Sequence, residues 1–401
     1  MDDNVARSIR DKVCVVGVGE SEYGRHGSIT SPEFQLALEA ILAACNDAGL
    51  DPKRLDGFAS YANDRNDAIR TATALGVDRL SFNNMFWGGG GGGVAGAVAN
   101  GAAAIVAGYA DYVVAYRALA QGQYRRFGQA EITGRVGGQD MWRLTSGLLT
   151  PSQRFALPIR RYMHEYGVTS EQLGRIAVAS YKHAQHNPRA VMNGKPITIE
   201  DHQNSRIIAD PLRLYDCCQE TDGAAAVILT TPERARDLQR PLVYLSGAAQ
   251  GSGFREGAMS ENRPDYSTAA FSDVAQRLYK SAGIGPEEID VAQLYENFTG
   301  LVLMSIEDFG LAGRGEAGRW VEDGRIEHKV VADPGAPHAG ELPINTSGGN
   351  LAEAYTHGFE LMVEATRQLN GTATLPVEGA RTSLLVSGPG VAPASALILH
   401  N

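Results

Sequence analysis

The residue types that attack carbonyls, hold metals or cradle phosphates are thinly spread in this 401-residue sequence. Cys217 and Cys218 are adjacent and precede an apolar, β-rich run, so they are expected to pack in the core rather than act as nucleophiles, and strained pairing between them is disfavoured. Of nine histidines only His183 and His186 stand close together, at i and i+3 in YKHAQHNP. With no carboxylate or cysteine at ligand spacing they read as a solvated helix end, and no metal is expected. No G-x-x-x-x-G-K-[ST] loop occurs. The stretch that stands out is FWGGGGGGVAGAV, Phe86–Val98, with six consecutive glycines from Gly88 to Gly93. It lacks the acidic residue that follows a dinucleotide fingerprint at a strand end. Glycine loses more conformational freedom on folding than any other residue, and what it provides in return is close approach of backbone to another group.

The composition narrows the functional classes. There are 36 basic and 46 acidic residues, a net charge of −10, which argues against nucleic acid as a ligand. The short basic cluster Arg125–Arg126 in YRRFG reads as a solvated loop. A chain that is 43% hydrophobic and 20% charged folds as an ordinary globular protein. The N-terminus MDDNVARSIR has no apolar signal core, and four cysteines without a framework fit a reducing cytoplasm. Gly88 to Ala110 is uncharged, but it is Gly, Ala and Val with Asn100 inside. It therefore predicts a helix buried on all sides rather than a membrane span.

Two distant segments read alike. AGLDPKRLDGFASY (Ala48–Tyr61) and AGIGPEEIDVAQLY (Ala282–Tyr295) share Ala, Gly, Pro, Asp and Tyr at positions displaced by 234. An amphipathic helix precedes each, Gly and Pro stop it, and a strand follows. A glycine turn, a helix and a strand come next in both: the glycine run to Gly108 and then DYVVAY; SGGN (Ser347–Asn350), LAEAYTHGFELMVEATRQLNG and SLLVSGPG. The pattern predicts duplicated α/β halves, residues 1–245 and 246–401, with a loop region at about 120–210 in the first. HKVVADPGAPHAGELP (His328–Pro343) reads as a Pro/Gly-rich loop.

This organisation resembles the thiolase superfamily. DGAAAVIL (Asp222–Leu229), LYENFTG (Leu294–Gly300), NTSGGNLAEAYTHG (Asn345–Gly358) and SGPGV (Ser387–Val391) are similar to four thiolase motifs in the same order. The resemblance implies a thiolase-like fold, layered α/β/α/β/α. It also implies what has been replaced: the nucleophilic cysteine falls at Gly91, the thioester-polarising histidine at Tyr355, the motif asparagine at Tyr295 and the second cysteine at Leu384. Without a thiol, thioester exchange through an acyl-enzyme is not expected. PITIEDHQNSR, LRLYDCCQETDGA, YENFT and GGNLAEAYTHG look like one branch, the lipid-transfer-protein-type aldolases of bacterial steroid side-chain degradation. That branch cleaves a β-hydroxy acyl-CoA without a covalent cysteine intermediate. In its best-known case a 17-hydroxy steroid C-20 carboxyl-CoA gives a 17-ketosteroid and propionyl-CoA. It works as a homodimer within a heterotetramer that includes an OB-fold, zinc-ribbon acyl-CoA-associated protein.

What the resemblance implies for the site is an acid/base pair, Tyr295 and Tyr355, in an order left open, with His357, Glu296 and Asn297 as supporting residues. Gly91, Gly92, Gly348, Gly349 and Gly388 are expected to line the substrate pocket, the glycine run making room for a bulky ligand ring where a cysteine sulfur would sit. No cofactor is expected, the CoA thioester being substrate. A phenol needs a cation or hydrogen-bond donor beside it to serve as base near neutral pH, since its ordinary pKa is about 10. The alternatives are an aldolase for another sterol or bile-acid side chain, and a non-catalytic acyl-CoA or sterol carrier.

Overall fold

In the computed structural model, residues 8–401 are described except 63, 88–89, 125, 127, 130–139, 254–262 and 264. The strands are β1 Cys14–Glu20, β2 Gly24–Arg25, β3 Gly57–Tyr61, β4 Phe82–Phe86, β5 Val113–Ala120, β6 Ile207–Ala209, β7 Leu212–Arg213, β8 Thr221–Thr230, β9 Val243–Gly251, β10 Val291–Leu294, β11 Thr382–Val386 and β12 Ala394–His400.

Both copies of the repeat fold as their stop signals predict. The helix Glu33–Ala48 ends at Gly49 (φ 70°) and the helix Ser272–Ala282 at Gly283 (φ 72°), a left-handed conformation that carries no Cβ penalty for glycine. The turns Pro52–Arg54 and Pro286–Glu288 follow and lead into β3 and β10. Each of these strands then pairs in parallel with the strand that closes its unit: β3 with β5 and β10 with β11.

The strands run in one hydrogen-bonded path, β10-β11-β12-β9-β1-β8-β5-β3-β4, with β2 beside β8. The halves join where Cys14 and Val15 of β1 face Tyr244 and Val243 of β9. The boundary placed near residue 245 falls inside β9, which pairs along its length with β12. Helices Glu33–Ala48 and Ser272–Ala282 cover the outer faces, against β1, β5 and β8 and against β9 and β12. Helices Val94–Val106 and Phe359–Asn370 each touch strands of both halves and form the middle layer, which gives the α/β/α/β/α order.

Small residues make that middle layer possible. A Cβ on Gly96 would lie 2.4 Å from the Phe86 ring and one on Gly101 3.0 Å from Val113. The helix Val94–Val106 is buried through its first turns and surfaces at Ala103 and Val106, so the expectation of burial on all sides holds only for its N-terminal part. Its free N–H groups are taken up by the other half: Ala95 and Gly96 donate to Ser387 Oγ and Ser395 Oγ, both at 2.9 Å.

Two expectations need correction here. The described part of residues 120–210 holds four helices, Asp140–Thr145, Pro151–Tyr166, Ser170–Ala184 and Ile199–Asn204, rather than a loop. Capping boxes at Thr150, Thr169 and Thr198 start three of these helices, a signal present in the sequence. His183 is not a solvated helix end; His186 is exposed, but His183 is fully buried. The His328 N–H donates to His183 Nε2 at 2.9 Å, which leaves Nδ1 to donate to the Asn345 carbonyl at 3.1 Å. Burial takes its pKa down to about 3, so a neutral ring ties the Pro/Gly-rich loop to the start of the Asn345–Gly358 motif. Among the described residues no helix is long and apolar enough to cross a membrane.

Candidate active site

A cavity of about 1250 Å³ opens where the glycine run, the C-terminal ends of β3 and β10 and the helical insertion converge. Tyr295 follows β10 directly, and Tyr355 lies in the short connection between the turn Gly349–Ala352 and the helix Phe359–Asn370. The fold brings the two phenols together at the cavity wall: their hydroxyls are 2.8 Å apart and their rings meet edge-on at 76°. Both rings are buried, and burial is the first reason that both pKa values stand well above the ordinary phenol value.

The ring of Tyr295 fills the place a side chain at position 91 would need. A Cβ built on Gly91 lies 2.2 Å from Tyr295 Cε2 and 2.4 Å from its hydroxyl, and one on Gly358 lies 2.3 Å from Cδ2 on the other side. At Gly91 the missing side chain therefore makes room for the protein's own phenol rather than for the expected ligand ring. Gly388 closes the arrangement, its N–H donating to the Gly91 carbonyl at 2.8 Å. Gly88 and Gly89 lie outside the described residues.

Of the residues singled out in the sequence, Tyr295, Tyr355, His357, Asn297, Gly91 and Gly388 line the cavity. Gly92, Gly348 and Gly349 do not, because each is packed against protein: Gly92 against the Pro393 carbonyl, Gly348 against Ala184 and Gly349 against the Glu296 carboxylate. Glu296 is buried beneath the site, its N–H donating to Asn350 Oδ1 at 3.1 Å, while Asn297 accepts the Cys218 N–H at 3.0 Å through its carbonyl. Leu384, at the expected second-cysteine position, is fully buried in β11 and is not part of the wall.

Cys217 and Cys218 pack against the core, as expected, but are partly exposed and also face the cavity. They remain poor nucleophiles, since burial pushes Cys217 up to about 12 and Cys218 well above the ordinary thiol value. His357 stands beside the phenols, its ring 5.7 Å from that of Tyr355, and holds a left-handed backbone at φ 61°. The Tyr61 hydroxyl, from the other copy of the repeat, donates to the His357 carbonyl at 2.9 Å. Burial first, and then Arg117, lower the His357 pKa well below its ordinary value, so the ring is neutral.

Of the arginines, sequence reading weighed only Arg125 and Arg126. Arg25, Arg65, Arg126, Arg154 and Arg206 line the same cavity, and Arg117 lies in its wall. Arg126, expected in a solvated loop, turns to the cavity and pairs with Glu220; Arg125 lies outside the described residues. Only Arg117 carried a signal, a charge in the middle of the apolar run DYVVAYRALA.

The carboxyl of Glu296 yields a prediction. Burial raises its pKa to about 8, so the folded chain keeps a proton that the unfolded chain loses near 4.5. Between those values the native state binds more protons, and this group's contribution to stability falls as pH rises from about 4.5 to about 8. Glu296→Gln is expected to remove that slope, stabilising the protein at pH 9 by on the order of a few kcal/mol relative to its effect at pH 4. Urea denaturation at the two pH values checks it; an equal effect at both contradicts the assignment.

Five layers, duplicated halves and two buried helices meeting at a glycine turn define a thiolase-fold protein, one whose nucleophile position is filled by a phenol. A family model described as Thiolase C-terminal domain-like matches residues 252–401. Over 396 residues the chain is 42% identical to the 17-hydroxy-3-oxo-4-pregnene-20-carboxyl-CoA lyase of Mycobacterium tuberculosis, covering 97% of this chain and 99% of that one. It is 41% identical over 393 residues to the steroid side-chain-cleaving aldolase of Thermomonospora curvata, covering 96% and 97%. The solved structure of an Ltp2-ChsH2(DUF35) aldolase matches with a TM-score of 0.89 and 40% identity, over 98% of both chains. Human mitochondrial 3-ketoacyl-CoA thiolase, at 15% identity and a TM-score of 0.68, shares the fold. The chain belongs to the steroid side-chain-cleaving aldolases of the thiolase superfamily.

Proposed function

We propose that the protein cleaves a β-hydroxy acyl-CoA by a retro-aldol reaction, with a 17-hydroxy steroid C-20 carboxyl-CoA giving a 17-ketosteroid and propionyl-CoA. The observation that carries this reading is the hydrogen-bonded phenol pair in the cavity wall, one ring of which fills the nucleophile position. One phenol takes the proton of the β-hydroxyl while passing its own to the other phenol across their hydrogen bond, as the substrate oxygen becomes a carbonyl and the Cα–Cβ bond breaks. The electron pair of that bond passes to the thioester enolate, and the other phenol protonates the α-carbon. One proton leaves and one arrives, so a 2.8 Å hydrogen bond between the hydroxyls returns the pair to its starting state without an external acid, and no redox step calls for a cofactor. His357 and Asn297 border the thioester, and Glu296 holds the turn under Tyr295.

Arginines gathered around one cavity in a chain of net charge −10 favour a polyanionic ligand, as the phosphates of CoA require. The solved Ltp2-ChsH2(DUF35) aldolase supports a DUF35-type protein partner, here an OB-fold, zinc-ribbon acyl-CoA-associated protein. A homodimer core is supported by β4, which ends the sheet path beside the exposed Met85 and Trp87. Four unpaired cysteines support the cytoplasm as its compartment. Incubating the chain, co-purified with such a partner, with the 17-hydroxy side-chain CoA thioester is expected to release ketone and propionyl-CoA in equal amounts by mass spectrometry. Intact thioester after prolonged incubation, with the chain folded and the partner bound, rejects the reading.

A further inference from the structure

An arginine at the centre of a strand buried throughout needs a reason. Arg117 is about 3% exposed, yet it lies in the cavity wall. Its Nη1 donates to the Tyr61 carbonyl at 3.1 Å and stands 3.0 Å from Asp64 Oδ2, and its Nη2 donates to the Ala62 carbonyl at 3.3 Å. Nε finds no hydrogen-bond partner among the described residues. These bonds hold Ala62, another wall residue, at φ 53°, a conformation that costs a non-glycine residue about 1–2 kcal/mol. The guanidinium lies 5.4 Å from the centre of the Tyr61 ring, Tyr61 touches His357, and His357 touches Tyr355.

We propose that Arg117 is a positioning residue for the phenol pair, its fixed charge biasing the shared proton so that Tyr355 is the base and Tyr295 the acid. The inference rests on the reading of those tyrosines as the reacting pair. The surroundings of the two hydroxyls are unequal in the required sense. Burial first, and then Cys218, ahead of β8, and Glu360, on the helix Phe359–Asn370, disfavour a phenolate at Tyr355, whereas the hydrogen bond from Tyr295 and, after it, Arg117 from β5 favour it. Tyr295 faces Tyr355, Cys218 and Tyr61, all of which disfavour its phenolate. His357 and Tyr61 are neutral neighbours of the pair, held so by burial. Asp64, the counter-charge 3.0 Å from Arg117, also accepts hydrogen bonds from Ser60 Oγ and the Asn66 N–H groups, which fix the ion pair in place.

Removing Arg117 alone strands a buried Asp64, which threatens folding. The test therefore uses the neutral pair Arg117→Gln with Asp64→Asn, and Arg117→Lys, which keeps the charge but loses the planar fork. At pH 8 the neutral pair is expected to lose at least tenfold in kcat with KM unchanged, about one pKa unit at the base, while Arg117→Lys keeps most of the rate. The second readout is the tyrosinate absorbance titration, taken as the difference between each protein and its Tyr355→Phe counterpart. The Tyr355 signal is expected to move up in pH in the neutral pair and to stay near its parent value in the lysine variant. A folded neutral pair with undiminished kcat, a loss confined to KM, or a lysine variant as slow as the neutral pair overturns the proposal. If Tyr295→Phe and Tyr355→Phe both cleave normally, the reading of the pair fails instead, and the titration still reports whether Arg117 tunes Tyr355.

Discussion

Tyr295→Phe is expected to lower the rate of thioester cleavage by about 10²–10⁴-fold while leaving CoA-ester binding and the fold in place. The substitution removes a hydroxyl and keeps the ring that Gly91 and Gly358 enclose, so packing is preserved and what disappears is the 2.8 Å partner of Tyr355. Tyr355→Phe should behave alike. The double variant should be little worse than either single one, because a proton shuttle of two members fails when one is lost. Single-turnover kinetics with calorimetric binding of the CoA ester checks the three proteins together. Independent, multiplying losses in the double variant would mean that the hydroxyls do separate jobs. A carrier protein would be indifferent to all three changes.

Gly91→Ala should be nearly as damaging, for a reason that no view of the glycine as a flexible turn provides. Its φ lies outside the left-handed region, so alanine is allowed by the backbone and the nearest conflict is with the Tyr295 ring, 2.2 Å away. The new methyl must push the ring off, at a cost of about 1–3 kcal/mol in stability, and the displaced hydroxyl loses Tyr355. Pairing it with Tyr295→Ala is expected to recover about 1–3 kcal/mol relative to the sum of the two single effects, since the methyl then has space, without restoring activity. Denaturation midpoints for the four proteins measure the coupling. Wild-type stability and rate in Gly91→Ala would show that the ring does not occupy that position in solution. The same conflict explains why this chain cannot hold a thiolase nucleophile and the Tyr295 phenol together: cysteine at 91 needs the volume the phenol fills.

Much of the architecture was legible before any coordinates. Gly49 and Gly283 stop their helices where a left-handed residue must stand, the prolines after them start short turns, and β3 and β10 follow at the shared displacement. These are local signals, decided by dihedral preferences within a few residues. Motif order placed Tyr295 and Tyr355 in one site because each motif holds its place relative to a glycine turn. The helical insertion was less legible, although capping boxes marked three of its helices.

What the chain alone determined is the set of elements, their duplication and the loss of a thiol at position 91. Only the tertiary structure decided which ring fills that space, that Gly348 and Gly349 lie beneath the cavity rather than along it, and that Cys217, Cys218 and the arginines face it. The physical reason is the range of the contacts: Tyr295 meets Gly91, and Arg117 meets Asp64 and the turn after β3, across strands far apart in the chain. Local preference carries no information about which side chain arrives there, because that depends on how the two halves are pressed against the shared middle layer.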